Sequence, residues 1–242
     1  MTSTGLAYYL GQNHSVAAHR RLTALVELGY LAKRYDASYR LQNRPAEYYL
    51  SKKVIPVLRE TLEDVSEREI KQFYARPTAS RRFINRSIAL FMAYFELRRL
   101  YGDRLLFATK PELMTEGFDY MPSPLPDGYM VLDKTTSRIR LFFVEYFDDA
   151  VSIGIHGRTI TRYMNYKEEG YWDDTGYDFP TVMIICQSES LLMQAKKRIR
   201  YLERQEYSEI AFRLITTTTL KTIDSTKKRA WSDPIDRVKT TL

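Results

Sequence analysis

Ser15-Val-Ala-Ala-His-Arg-Arg-Leu-Thr-Ala-Leu-Val-Glu-Leu-Gly-Tyr-Leu31 is the stretch on which the fold turns. Ala18, Leu22, Leu25 and Val26 recur at helical spacing and make a core-facing stripe, whereas Val16, His19, Arg20, Thr23 and Glu27 fall on the opposite face. Ser15 is placed to cap the first turn. Gly29 sits where a helix ends in a left-handed residue, before Tyr30-Leu31 enters extended chain. The spacing predicts the recognition helix of a winged helix-turn-helix, preceded by a helix over Gly5–Gln12 and a turn over Gly11–His14.

The chain that follows has the composition of a wing. Lys33-Arg34-Tyr35, a turn at Asp36-Ala37-Ser38, Tyr39-Arg40-Leu41, a second turn near Asn43-Arg44-Pro45 and Glu47-Tyr48-Tyr49-Leu50 suit a hairpin of short aromatic strands. Between His14 and Arg59 nine Lys or Arg stand against three acids, a net of +6, and the remainder holds 28 against 27, a net of +1. Concentrated positive charge on a helix and hairpin is the footprint of a module that displaces counterions from phosphate. Double-stranded DNA is therefore the expected partner. Ser15, His19, Arg20 and Arg21 are placed for base or phosphate contact, and Lys33, Arg34, Arg40 and Arg44 for the backbone. The competing reading is a solvated basic face that serves packing alone, or that binds an acidic protein.

The 242 residues exceed what one such module needs, and 44% hydrophobic and 13% aromatic residues describe a folded chain with a sizeable core. No apolar run is long enough to cross a bilayer, and the start Met1-Thr2-Ser3-Thr4 lacks a secretory pattern, so no membrane partner and a cytoplasmic location are expected. One cysteine rules out an internal disulfide and a Cys-based zinc site. His14, His19 and His156 have no metal-ligand spacing, which also speaks against a histidine-metal tyrosine relaxase. Gly154-Ile-His-Gly157 lacks the Gly-Lys-Ser/Thr pattern of a phosphate loop, so nucleotide hydrolysis has no support.

Four segments are expected: 1–65 as winged helix-turn-helix, 66–103 as helical connector, 104–220 as an α/β domain, and 221–242 as a polar basic tail with Lys227-Lys228-Arg229. Helices are read over Lys52–Glu63, Ser66–Tyr74, Arg81–Tyr101, Thr159–Glu169 and Glu189–Arg204. Strands are read over Leu105–Thr109, Gly128–Asp133, Arg138–Tyr146, Thr181–Cys186 and Ile210–Thr216, with Lys110–Pro126 irregular. Interleaved strands and helices give an α+β or α/β class with a mixed sheet.

Pro126-Asp127-Gly128 before one strand and Glu145 near the end of the next place two carboxylates at neighbouring strand ends. That is the skeleton of the PD-(D/E)XK nuclease site, where acids hold a divalent metal that activates water. Asp127 and Glu145 are the candidate metal ligands, for magnesium or manganese only if the nuclease reading holds. The lysine of that pattern is replaced by Phe147, so Lys134 or Lys167 would have to supply the base; Asp127, Glu145 and Lys167 form the candidate catalytic set. The bland alternative is a turn aspartate and an edge glutamate.

Taken in order, Arg20-Arg21-Leu22 through Leu28-Gly29-Tyr30-Leu31, Pro126-Asp127-Gly128, Leu141-Phe-Phe-Val-Glu145, Thr161-Arg162-Tyr163 through Tyr166-Lys167 and Phe179-Pro-Thr-Val-Met-Ile-Ile-Cys-Gln-Ser-Glu189 resemble the plasmid replication-relaxation family. The resemblance implies a DNA-binding protein of a plasmid or other mobile element. It would serve replication, relaxation or conjugal mobilisation, with a domain of restriction-endonuclease-like fold behind the winged helix. It also implies replication or mobilisation proteins as partners, and a homodimer is compatible with it. Family members usually carry an aspartate two residues after the glutamate, then Arg-Gly-Thr, where this chain has Tyr146-Phe147-Asp148-Asp149. The preferred expectation is a DNA binder with a non-catalytic second domain. The alternatives are a metal-dependent nuclease or nickase using Asp127 and Glu145, and a transcriptional regulator or protein-assembly module.

Overall fold

The computed structural model describes residues 1–11, 15–61, 79–116, 120–134, 139–205 and 209–223, with backbone only at 15, 115 and 116. The chain divides into two compact units, Met1–Met92 and the part from Ala93 onward, and is mixed α+β. The helix expected over 66–74 and the tail basic cluster lie outside the described residues.

In the first unit α1 (Ser3–Tyr9) starts where the Thr2 side chain accepts the Gly5 amide. Then α2 (Ser15–Glu27) ends as the glycine spacing predicts. Gly29 has φ +78°, its amide bonds to Val26 O, and the next amide, Tyr30, reaches back to Leu25 O. These are the two hydrogen bonds of a Schellman cap, in which a left-handed residue satisfies the last carbonyls. Released there, the chain forms β1 (Leu31–Arg34), which pairs antiparallel with β2 (Glu47–Leu50), Leu31 opposite Leu50 and Arg34 opposite Glu47. Leu22, Leu31 and Tyr48 are the buried centre, with Leu6, Val26 and Leu50 packed around them. Ala18 and Leu22 of the expected stripe are inside, but Leu25 is 37% exposed.

Between the strands the structure departs from the expected hairpin. Tyr39-Arg40-Leu41 is helical, within α3 (Ala37–Leu41). Asp36 has extended backbone, and its side chain accepts the Ser38 amide at 2.8 Å, so the residue read as a turn former is the cap of a helical turn. Tyr39 is the anchor of that turn, 1% exposed. After it come α4 (Ile55–Thr61) and the long α5 (Arg81–Tyr101), whose residues up to Met92 belong to the first unit.

The second unit is built on a five-stranded sheet in the order β3 (Leu105–Thr109), β4 (Gly128–Leu132), β5 (Arg140–Phe147), β6 (Thr181–Cys186) and β7 (Phe212–Thr216). The first three strands form an antiparallel meander and the last three run parallel. Parallel neighbours need crossovers, supplied by α7 (Ile153–Glu168) and α8 (Glu189–Glu203). Val182 to Cys186 are all buried, which explains an unbroken apolar run where an exposed strand would alternate. Phe143, Phe147, Ile184, Ile160, Tyr163, Leu191, Ala195 and Ile199 make the core between sheet and helices.

Besides α3, two helices are missing from the sequence reading. The first, α6 (Lys110–Glu116), falls in the stretch expected to be irregular; the Glu112 carboxylate accepts both the Thr109 amide and the Thr109 hydroxyl. Thr-Lys-Pro-Glu thus forms the glutamate half of a capping box, with proline tolerated in the first turn. The second, α9 (Thr217–Thr222), is started by Thr216, whose side chain accepts the Thr219 amide. In addition, α7 begins six residues before the expected Thr159. His156, in its first turn, stacks on Phe147 at 4.0 Å and bonds through Nε2 to Asp148 O at 3.0 Å, which outweighs the low helix propensity of Gly154 and Gly157.

Candidate nucleic-acid interface and a strand-end carboxylate pair

On α2 the residues nominated for nucleic-acid contact face solvent. His19, Arg20 and Arg21 are exposed, and among the described residues no acid pairs with Arg20 or Arg21. His19 Nδ1 lies 3.4 Å from the Tyr48 hydroxyl, which ties the imidazole back to β2. Ser15 is the first residue of the helix, backbone only. From β1, Lys33 lies over the Tyr35 ring at 5.2 Å and Arg34 over Tyr49 at 5.6 Å, so both stems run along aromatic surface. Arg40 is exposed on α3.

Arg44 is held by side chains of its own unit. Its guanidinium donates to Asn85 at 2.8 Å and to Glu47 at 3.4 Å. Glu47 is 4% exposed and accepts from Arg81 at 3.0 Å on both oxygens and from the Tyr39 hydroxyl at 2.7 Å. A buried carboxylate needs such donors, and this cluster joins β2, α3 and α5 within the first unit. Burial, then Glu47, raises the Tyr39 phenol, and the Tyr39 hydrogen bond is the main cause that raises Arg81.

In the second unit the two predicted carboxylates are neighbours. Gly128 pairs with Val144, so one step outward Asp127 stands across the antiparallel ladder from Glu145, and directly opposed side chains share a face. Asp127 accepts the Tyr146 amide at 2.8 Å. Gly128 is fixed by packing: a Cβ there would lie 2.4 Å from the Phe107 ring. The glycine of the Pro-Asp-Gly signature thus has a steric reason independent of any chemistry.

Glu145 is 5% exposed and turned toward α7. Its Oε1 accepts from Arg162 at 2.7 Å and from the Tyr163 hydroxyl at 2.6 Å. Burial, followed by the negative charge of Asp127, pushes the Glu145 carboxyl up to about 7 in spite of Arg162 and Tyr163. Burial pulls the Arg162 guanidinium down, but Tyr163 and Glu145 outweigh it and the net direction is up. The two partners point opposite ways about the ionised pair. An arginine stays protonated throughout the ordinary pH range, so Glu145 is the group that titrates.

Lys167, the candidate base, lies over Phe179 at 5.2 Å and donates to Asp173 at 3.4 Å. A divalent metal does not fit this pair well. One oxygen of Glu145 already serves two donors, and among the described residues no cluster of three His, Cys, Asp or Glu is placed to hold an ion. Arg162 and Tyr163 are the residues that sequence reasoning overlooked at the site. Their signal was present, since Thr161-Arg162-Tyr163 lies on the helix after the Glu145 strand, but only the fold puts them on the carboxylate. What the geometry defines is a mixed α+β protein with a solvent-facing basic helix in one unit and a clasped carboxylate in the other. Among the described residues no helix is long and apolar enough to cross a membrane. No protein-family model, curated protein or solved structure matches the chain.

Proposed function

We propose that the first unit is a winged helix-turn-helix that docks on duplex DNA, and that the chain is a DNA-binding protein of the plasmid replication-relaxation kind, serving replication or mobilisation of a mobile element. The observation that carries the reading is the exposed His19-Arg20-Arg21 face of α2, on a helix closed by Gly29 and followed by an antiparallel pair. A recognition helix presents its outer residues to base edges in this way, and lysines and arginines of a wing hold phosphates. The one-turn α3 makes the link between β1 and β2 stouter than a simple hairpin and carries Arg40 outward. The ordered motifs quoted for the family support the plasmid context.

The second unit acts without cleaving in this reading. Its strand order, a meander followed by a helical crossover to a parallel strand, suits a nuclease-like scaffold, and Asp127 beside Glu145 favours the nickase alternative. Against it stands the clasp: Arg162 and Tyr163 occupy the Glu145 oxygen that a metal would need. Fluorescence anisotropy with a labelled duplex over a salt series tests the docking. Affinity is expected to fall steeply with salt, and Arg20→Ala with Lys33→Ala to lower it at least tenfold and reduce the salt slope by about 2. Unchanged binding by the double variant would reject the interface. Incubation of supercoiled plasmid with magnesium or manganese tests the alternative: nicking by the parent that Asp127→Ala abolishes would establish it.

A further inference from the structure

The sheet face that carries Asp127 and Glu145 also floors a cleft. In the antiparallel half, Leu106, Val131 and Leu141 form one row, and Ala108, Tyr129 and Phe143 the next, projecting to the same side. Above the first row lies a cavity of about 430 Å³ with Tyr120, Tyr129, Trp172 and Tyr177 in its walls. Lys134 and Asp174 supply its charged groups. The volume falls within the range of small-molecule sites, and an apolar cleft with a few polar groups is their usual make-up.

The walls are set in place before any ligand arrives. The Trp172 indole N–H donates to the carbonyls of Tyr177 and Asp178, both at 3.0 Å, and the ring stands edge-on to Tyr120 at 5.6 Å. Tyr120 is held in turn by the Tyr166 hydroxyl, which donates to its backbone carbonyl. The mouth is open: Leu106 is 45% and Tyr177 56% exposed. Among the described residues the Tyr129 hydroxyl has no hydrogen-bond partner, and burial raises its phenol well above the ordinary value, so it remains a donor.

We propose that this cleft binds a nucleotide unit, the base stacked against the tyrosine walls and the phosphate at Lys134. Flat aromatic walls select a planar ring, because every base has a π-face that stacks on tyrosine or tryptophan. The Tyr129 hydroxyl and the Asp174 carboxylate offer a donor and an acceptor to a base edge or a sugar hydroxyl. A purely apolar ligand would leave the Tyr129 hydroxyl, which burial takes from water, unmatched. The nucleotide unit has two sources, a free mononucleotide or an unpaired residue of single-stranded DNA, and only the second rests on the DNA-docking reading above.

The full chain is titrated with dTMP by equilibrium dialysis and with a fluorescein-labelled ten-residue oligo(dT) by anisotropy, alongside the labelled duplex. Saturable binding is expected, weakened about fivefold or more by Tyr177→Ala and also by Lys134→Ala, two exposed positions that the core does not need. Binding of oligo(dT) alone assigns the site to single strands, and of dTMP alone to free nucleotide. No saturable binding of either, parental affinity in both variants, or displacement by uncharged indole as readily as by dTMP would overturn the proposal. A duplex that fails to bind while dTMP titrates removes the docking reading and leaves the cleft; a bound duplex with no nucleotide binding does the reverse.

Discussion

Arg20 in the first unit and Arg162 in the second are the same side chain in opposite circumstances. Arg20 stands in water with no acid partner among the described residues, whereas Arg162 is mostly buried, 17% of its side chain exposed, and committed to Glu145. An exposed guanidinium keeps its hydrogen-bonding capacity for whatever arrives from outside. A buried one has been spent on the fold. Charge count alone does not separate the two; the local net of +6 over residues 14–59 matters because most of that charge points outward. Within the basic region Arg44, drawn onto Glu47 and Asn85, and Lys53, donating to the Leu28 carbonyl at 2.8 Å, are turned to partners inside the unit.

The comparison is tested most severely by Arg162→Ala. It leaves the Glu145 carboxylate buried without its cation, and removal of one partner from a buried pair typically destabilises by about 3–5 kcal/mol. Urea unfolding followed by tryptophan fluorescence reads this in the second unit, to which both tryptophans of the chain belong; a loss under about 1 kcal/mol would show that the clasp is dispensable.

The next effect is a pH dependence. The folded carboxyl of Glu145 is raised above its unfolded value of about 4.5, to about 7, so between those values the folded state holds the extra proton. Stability of the second unit therefore falls as pH rises from about 4.5 to about 7, by at most about 1.4 kcal/mol per pH unit from this group, and then levels. Glu145→Gln should remove that slope. A parent and variant with parallel profiles would contradict the assignment.

A smaller change is expected in the first unit from Gly29→Ala. An added Cβ at φ +78° disfavours the left-handed cap, and about 1 kcal/mol of local stability is expected to be lost, read as faster amide exchange at the end of α2. Arg20→Ala closes the series, with stability within about 0.5 kcal/mol of the parent, as befits an exposed side chain. A large loss there would mean that the outer face of α2 is structural.

The sequence discloses local rules and hides long-range ones. Gly29 ends α2 through bonds to its own last turn, and the unbroken apolar run of β6 is the local mark of a strand covered on both faces. The Glu112 bonds to Thr109 and the cap Asp36 obey equally local rules. They were obscured by Pro111, which reads as a breaker, and by Tyr39-Arg40-Leu41, whose alternation imitates a strand. Leu25 fits the apolar stripe yet keeps 37% of its surface in solvent, at the margin of the face that Ala18 and Leu22 bury. At the site, Asp127 and Glu145 were legible as strand-end acids. The clasp by Arg162 and Tyr163 was not, because it needs the crossover that brings α7 over β5.

Cys186 closes β6 as the single thiol of the chain, fully enclosed, with burial as the main cause that pushes its pKa up to about 12. A disulfide reagent that reacts with thiolate therefore meets almost none while the sheet is closed. Its reaction rate becomes a clock for transient opening of the second unit, with no engineered label and no contribution from the first.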